Sequence, residues 1–315
     1  MELLETQVKG ACPACESLEL EPIGSDSGAT VVSIEGRLCE LAGYQVRRCM
    51  ACDLYFKSVA MSNSSLARYY STLDFQVFER DERFPTDRAA HETLRRVPDS
   101  GRVLDFGCST GRILKRETSR LRCFGVEPNR GAAQVAEERG IRIVDEQSLF
   151  AGIHGQFDLV ILADVYEHLP SPVELLTRLK KLIAPGGSLV IITGNADAIR
   201  HRDWIGEHWY FRIEGHLQMM TVRHANWVAA RLGMQVENIV RCSHYRLSML
   251  QRLRQHSRSF AYFQFKEAPR SAVSALLRRV PIFSRAEYWP NAPVLSCGAD
   301  HLVATMRNAS GGSGR

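Results

Sequence analysis

Val103-Leu104-Asp105-Phe106-Gly107-Cys108-Ser109-Thr110-Gly111 is the stretch that decides the fold. A short apolar run leads to an acid, and two glycines then let the chain turn sharply into a following helix. The rhythm repeats downstream. Residues 110–121 read as a helix, 122–128 as a strand, and 129–139 as a helix stopped by Gly140. Residues 141–145 form a third strand. Residues 157–165 form a fourth, apolar nearly throughout, as a strand covered on both faces must be. A helix with a Ser171 N-cap ends at Pro185-Gly186-Gly187, and residues 188–194 make a fifth strand. A helix over 224–233, a strand over 234–242 and a last strand over 300–307 complete the series. Alternation of this kind predicts an α/β, Rossmann-like, doubly wound sheet of seven strands, with a helical insertion before the last one.

Working outward, residues 1–60 form a separate cysteine-rich unit, 61–100 a helical linker or substrate lid, 101–308 the α/β domain, and 309–315 a low-complexity tail expected to be disordered. Composition is that of a globular protein, with 45% hydrophobic and 24% charged residues among 315. No run of 18 apolar residues exists, which excludes a membrane-spanning helix from the sequence pattern. The acidic opening MELLETQVKGAC lacks the apolar segment of a secretory signal, so a cytoplasmic location is expected. A net charge of +5 implies no nucleic-acid partner by itself.

Five of nine cysteines fall within the first 52 residues. Cys12-x-x-Cys15 and Cys49-x-x-Cys52 are two pairs with 33 residues between them. Four thiolates so spaced are the ligand set of a structural zinc, although the gap exceeds the usual ~15–20 residues. Cys39 is expected to be free. A redox role is disfavoured because no strand-helix context surrounds either pair.

At the glycine turn, Asp105 suits a cationic or hydrogen-bond-donating ligand and would repel a pyrophosphate, which argues for an amino-acid-bearing cofactor over NAD. Glu127 ends the second strand 22 residues later and can accept hydrogen bonds from two ribose hydroxyls.

At these residues the chain resembles the class I S-adenosylmethionine-dependent methyltransferases. The resemblance runs from Asp105, Gly107 and Gly111 through Gly125-Val126-Glu127-Pro128, Phe157-Asp158-Leu159-Val160, Val165-Tyr166-Glu167-His168-Leu169 and Leu182-Ile183-Ala184-Pro185-Gly186-Gly187. It departs at Ser109, where a third glycine often stands. It implies S-adenosylmethionine as cofactor. Asp105, Gly107, Cys108, Ser109 and Gly111 would then be at the methionine end, Glu127 at the ribose and Asp164 at the cofactor side of the fourth strand. Asp145 reads equally as an adenine contact or as a solvated turn acid. The cysteine pairs resemble those of a subgroup acting on sugars and other small molecules. In that subgroup the N-terminal module packs over the substrate pocket, which would bring Tyr69, Tyr70 or Phe75 to its lining.

Methyl transfer to a hydroxyl, amine or carbon acid needs a base to take a proton. His168 is one candidate. The segment from Trp204 to His216 carries two Trp, one Tyr and two His within 13 residues, and places His216 and His208 ahead of it as substrate-side residues. Packing aromatics and ordinary histidines are the plain alternative.

Ala163-Asp164-Val165-Tyr166 is not the Asn-Pro-Pro-Tyr tetrad on which amino methylation of nucleic-acid bases relies, so nucleic acid is a poor acceptor. Between His244 and Ala286 nine Arg or Lys stand against one acid, Glu267. This basic insertion, assigned to 244–296, reads as a solvated helical lid, as a surface for phosphate-bearing or carrier-linked substrates, or as a peripheral membrane contact. The favoured function is methyl transfer to a sugar, nucleotide sugar, glycan or secondary metabolite. The alternatives are an RNA methyltransferase and a non-catalytic scaffold. The RNA reading requires a basic face continuous from Arg47, Arg48 and Lys57 to the insertion. Oligomeric state is not legible.

Overall fold

The computed structural model describes residues 2–26, 30–77, 84–289 and 291–309. Residues 78–83 of the expected linker and 310–315 of the expected tail lie outside the described residues.

The central sheet has seven strands: β1 (Arg102–Phe106), β2 (Arg122–Val126), β3 (Arg142–Ile143), β4 (Phe157–Ala163), β5 (Ile183–Gly194), β6 (Met234–Cys242) and β7 (His301–Asn308). Their order is β3-β2-β1-β4-β5-β7-β6. All neighbours are parallel except β7, which runs antiparallel to both β5 and β6. The order reverses between β1 and β4, so the carboxyl ends of these strands open a crevice where ligands of doubly wound sheets bind.

Alternate residues of each strand feed two apolar layers, as period-2 geometry requires. One face carries Leu104, Val160, Ile191 and Ala304, covered by α5 (Pro172–Lys180) and α6 (Val222–Leu232). The other carries Val103, Ile161, Val190 and Val303, covered by α2 (Pro85–Leu94) and by Ile113 and Leu114. The expected helix over 110–121 is instead a succession of turns with intermittent bonds: Lys115 N–H donates to the Gly111 carbonyl, but Glu117 and Arg120 reach back only three residues. Ile113 and Leu114 are still buried, so the apolar spacing that suggests a helix is satisfied without a regular one.

The N-terminal strands are woven into the rest of the chain. Leu20–Asp26, Tyr44–Cys49, Tyr55–Lys57 and Gln218–Met219 form one four-stranded sheet, so the segment after β5 returns to complete it. The Tyr44 hydroxyl lies 2.8 Å from the carbonyls of Gly206 and Phe211 and pins that loop. α1 (Asn63–Thr72) follows, N-capped by Ser62. Cys12, Cys49 and Cys52 share one core layer with Leu104 and Leu162 of the central sheet.

The insertion holds α7 (Met249–Glu267), with a Ser248 capping box, and α8 (Ala272–Leu277). Its charges are partly spent within the fold. Lys266 pairs with Glu207 at 3.2 Å, Arg278 with Glu287 at 2.7 Å, and Arg258 lies over the Trp289 ring. No helix among the described residues is long and apolar enough to cross a membrane.

Candidate active site

Asp105 stands at the end of β1, 2% exposed, and its Oδ1 is buried without a hydrogen-bond partner among the described residues. Burial pushes this carboxyl up to about 7, against the pull of Arg112. An unpartnered buried carboxylate oxygen is costly unless a ligand satisfies it. Arg112 is itself paired with Asp87 of α2 and lies over the Phe84 ring.

The loop after Asp105 needs its glycines. Gly107 and Gly111 have φ of 79° and 78°, and a Cβ on either would strike Val165 or Ile141. Ser109 also sits at φ 48°, in the left-handed region. The departure from glycine there therefore carries a conformational cost of about 1 kcal/mol, which small side-chain size does not relieve. Ser109→Gly is expected to raise the melting temperature by roughly 2–4 °C, as measured by thermal unfolding. The Ser109 backbone N–H, which donates to Glu127 Oε2 at 2.9 Å, is retained in that variant.

The Cys108 thiol faces the core. The side chain packs against Gly125, the thiol is buried, and the backbone N–H is spent on the Val126 carbonyl at 3.0 Å. The turn points the thiol into the core because β2 has a glycine beneath it, so any part Cys108 takes at the cofactor would not run through its thiol. Glu127 accepts from the backbone of Ser109 and of Asn129, the N-cap of α3 (Arg130–Glu138), at 2.9 and 2.8 Å, which fixes its carboxylate at the crevice while each oxygen keeps a further lone pair. Burial raises its pKa. Asp145 is exposed and caps α4 (Glu146–Phe150), accepting from the Ser148 N–H at 2.8 Å. That is the turn-acid arrangement.

After β4 the chain passes through Asp164, at φ 55°, into a short 3-10 turn holding Tyr166, Glu167 and His168. Glu167 is buried and held from two sides. Tyr210 Oη donates to its Oε1 at 2.7 Å and Thr193 Oγ1 to its Oε2 at 2.8 Å. Tyr210 also accepts from the Gly194 N–H. His168 Nδ1 lies 2.5 Å from Tyr70 Oη and 2.9 Å from the Gly215 carbonyl, which leaves Nε2 as its other nitrogen. His216 sits edge-on to His168 at 4.8 Å and 4.2 Å from the Tyr210 ring. It is 9% exposed, and its Nδ1 has no partner among the described residues. Burial foremost, then neighbouring His168 and Lys57, lowers its pKa well below 6.5.

His208 occupies different ground. With Trp204, Trp209, His256 and Phe263 it lines a cavity of about 230 Å³ between the loop after β5 and α7, which reaches Asn195 and Asp300. Burial lowers its pKa to about 4. Thus His168 and His216 are brought together, and His208 belongs to the neighbouring chamber.

Cys12, Cys15, Cys49 and Cys52 converge. Cys12 and Cys52 sulfurs are 3.5 Å apart, Cys15 and Cys49 sulfurs 3.4 Å, and all four lie within 4.8 Å of one another. A tetrahedral zinc with Zn–S of about 2.3 Å wants sulfurs about 3.8 Å apart, so the donor set fits. Each pair is followed by a residue in the left-handed region, Glu16 at φ 61° and Asp53 at φ 65°, which folds the knuckle back on itself.

The family model of the methyltransferase domain matches residues 78–239. The chain belongs to this methyltransferase domain family. Curated relatives include a ubiquinone biosynthesis O-methyltransferase of Caulobacter sp. (strain K31), 38% identical over 131 residues, covering 38% of this chain and 48% of that protein. A probable chloroplastic tocopherol O-methyltransferase of Oryza sativa subsp. japonica is 25% identical over 173 residues, covering 42% and 47%. The chain thus spans about half the length of the curated relatives it matches. Among solved structures, a putative methyltransferase of Bacillus halodurans C-125 aligns with a TM-score of 0.49 at 12% identity, over 71% of this chain and 99% of that one.

Several residues of this candidate site are invisible to sequence reading. Tyr210 and Thr193, which fix Glu167, come from different segments. Asp87 is found only through its burial beside Arg112. His301 and His244 meet Asp164 across three strand ends. Among the described residues, the N-terminal part of the basic face required by an RNA substrate is spent within the fold. Lys57 is 3% exposed and donates to the Ile213 carbonyl, Arg48 pairs with Asp53 at 2.6 Å, and Arg47 donates to the Lys9 carbonyl.

Proposed function

We propose that this protein transfers the methyl group of S-adenosylmethionine to a small-molecule acceptor. The single observation that carries the reading is Asp105: a buried carboxylate with an unpartnered oxygen, at the switch point of the sheet, beside a glycine turn and Glu127. This arrangement fits an amino-acid cation at Asp105 and a diol at Glu127. When bound, the cofactor supplies an electrophilic methyl carbon. The zinc assignment rests on the four convergent thiols of Cys12, Cys15, Cys49 and Cys52.

The proposed acceptor chamber is the cavity lined by Trp204, His208, Trp209 and Phe263; the His168–His216 pair lies outside that lining, linked to it through the Trp209 and Tyr210 rings, so the reacting group of the acceptor must extend past Tyr210 to meet His216. The chamber's size suits a small ring-bearing molecule, and its walls combine aromatic faces with the imidazoles of His201, His208 and His256. The small-molecule O-methyltransferase names of the curated relatives agree with this class. The exposed, partly self-paired insertion serves as wall and lid. The domain division at residues 60 and 100, phosphate-bearing or carrier-linked acceptors, and the cytoplasmic location stay within the same proposal.

His216 is the proposed base. It is neutral because burial disfavours its charged form, and its Nδ1 awaits a donor. His216→Ala is expected to lower kcat by about 10²–10⁴-fold with cofactor affinity unchanged, the range general-base removal produces. His208→Ala should act mainly on the acceptor KM. Steady-state kinetics separate the two, and an unchanged kcat in His216→Ala removes its assignment. The substrate class is tested by incubating the protein with methyl-labelled cofactor and a cell extract. Label is expected in the low-mass fraction, whereas label in RNA or protein would overturn the reading.

A further inference from the structure

Asp164, His244 and His301 come from the ends of β4, β6 and β7 and place one ligand atom each within 4.8 Å of the others. We propose that these three residues form a binding site for a divalent transition-metal ion, separate from the cysteine knuckle.

His301 Nε2 and Asp164 Oδ1 are 3.8 Å apart. That is too long for a hydrogen bond. It is close to the separation of two ligands of one ion with bonds of about 2.0–2.2 Å. Asp164 Oδ1 and His244 Nδ1 are both buried with no partner among the described residues. A buried polar atom left unpaired is costly unless a ligand or ion satisfies it.

The outer shell is already built. Asp300 Oδ2 lies 3.2 Å from His301 Nδ1, and its Oδ1 accepts the His244 backbone N–H at 3.1 Å. A carboxylate on the far nitrogen of a ligating imidazole fixes the tautomer that exposes Nε2 to a metal. His244 is wedged between the His301 ring, at 4.4 Å, and the Phe84 ring, at 4.3 Å. Arg112 stands 3.9 Å from the other Asp164 oxygen and is also paired with Asp87.

The competing cluster, Glu167 with His168 and His216, differs in this respect: both Glu167 oxygens already accept hydrogen bonds. Two imidazoles and one carboxylate favour a borderline ion such as Zn²⁺, Co²⁺, Fe²⁺ or Mn²⁺ over Ca²⁺ or Mg²⁺. Asp300 also borders the proposed acceptor cavity, on the side of the His301 ring away from Nε2.

The test needs neither cofactor nor acceptor, so its outcome is independent of the methyl-transfer reading. Co²⁺ is titrated into the zinc-loaded full chain and followed by visible absorption. One equivalent should bind with the ligand-field bands of a nitrogen/oxygen site and no thiolate charge-transfer band. His301→Ala and His244→Phe, the latter keeping the ring stack, should each weaken binding more than 10-fold. Asp300→Asn should weaken it about 10-fold. Absence of saturable binding, thiolate charge transfer, affinity unchanged in both histidine variants, or binding lost instead in His256→Ala (whose ring contacts Cys297 at 3.3 Å) would overturn the proposal.

Discussion

Asp105→Ala is expected to weaken S-adenosylmethionine binding by about 30-fold or more, up to roughly 4,000-fold, while making the ligand-free protein more stable. The two effects have one cause. Asp105 is buried, and its Oδ1 has no partner. Removing one member of a buried charge-assisted contact costs about 2–5 kcal/mol, and each 1.4 kcal/mol is tenfold in affinity. Without the ligand the same carboxylate is a burden. Its pKa is raised to about 7, first by burial. The folded state therefore holds a proton that the unfolded chain releases near pH 4, and stability falls as pH rises between those values. Ala removes that slope. Cofactor affinity of the unaltered protein, which needs the ionised carboxylate, should instead rise with pH up to about 7. Calorimetry and thermal unfolding at pH 6 and pH 8 read both trends. A variant that binds normally, or that is destabilised without binding loss, would remove Asp105 from the cofactor site.

Cys49→Ser is expected to release about one zinc per chain and to lower the melting temperature by roughly 10 °C or more. Structural zinc contributes on the order of 10 kcal/mol in small domains, comparable with the whole net stability of a protein. Here the loss would spread. Cys49 and Cys52 lie in the same apolar layer as Leu104 and Leu162. The Cys52 carbonyl accepts from His224 Nδ1 at 2.9 Å, and His224 Nε2 lies 2.7 Å from Tyr166 Oη, one residue before Glu167. Metal loss is thus expected to loosen the turn that positions Glu167 and His168, seen as lower kcat below the unfolding temperature. Metal-free protein with unchanged melting would refute the knuckle.

The sheet was legible because its signals are local. The apolar runs at 103–106 and 157–163, the turn at 107–111 and the Pro-Gly-Gly stop each follow from backbone physics over a few residues. The cysteine pairs were legible for the same reason. What escaped depends on approach between distant segments. Cys108 looks like part of a ligand loop; that its side chain is received by Gly125 shows only in the fold. Residues 110–121 carry helical spacing, yet burial of Ile113 and Leu114 is met by turns. The return of Gln218–Met219 to pair with Tyr55 and Phe56, and the meeting of Asp164 with His244 and His301, are set by the strand order and leave no periodic trace. Among the histidines, sequence reading named His216, His208 and His168 together. The fold divides them between the Glu167 turn and the cavity under α7.

The most direct test of the central claim is calorimetric titration of the zinc-loaded chain with S-adenosylmethionine and, separately, with S-adenosylhomocysteine. Saturable binding of both at one site per chain, in the micromolar range, is the predicted result. Folded, zinc-loaded protein that binds neither would contradict the assignment of Asp105, Glu127 and the 107–111 turn as a cofactor site.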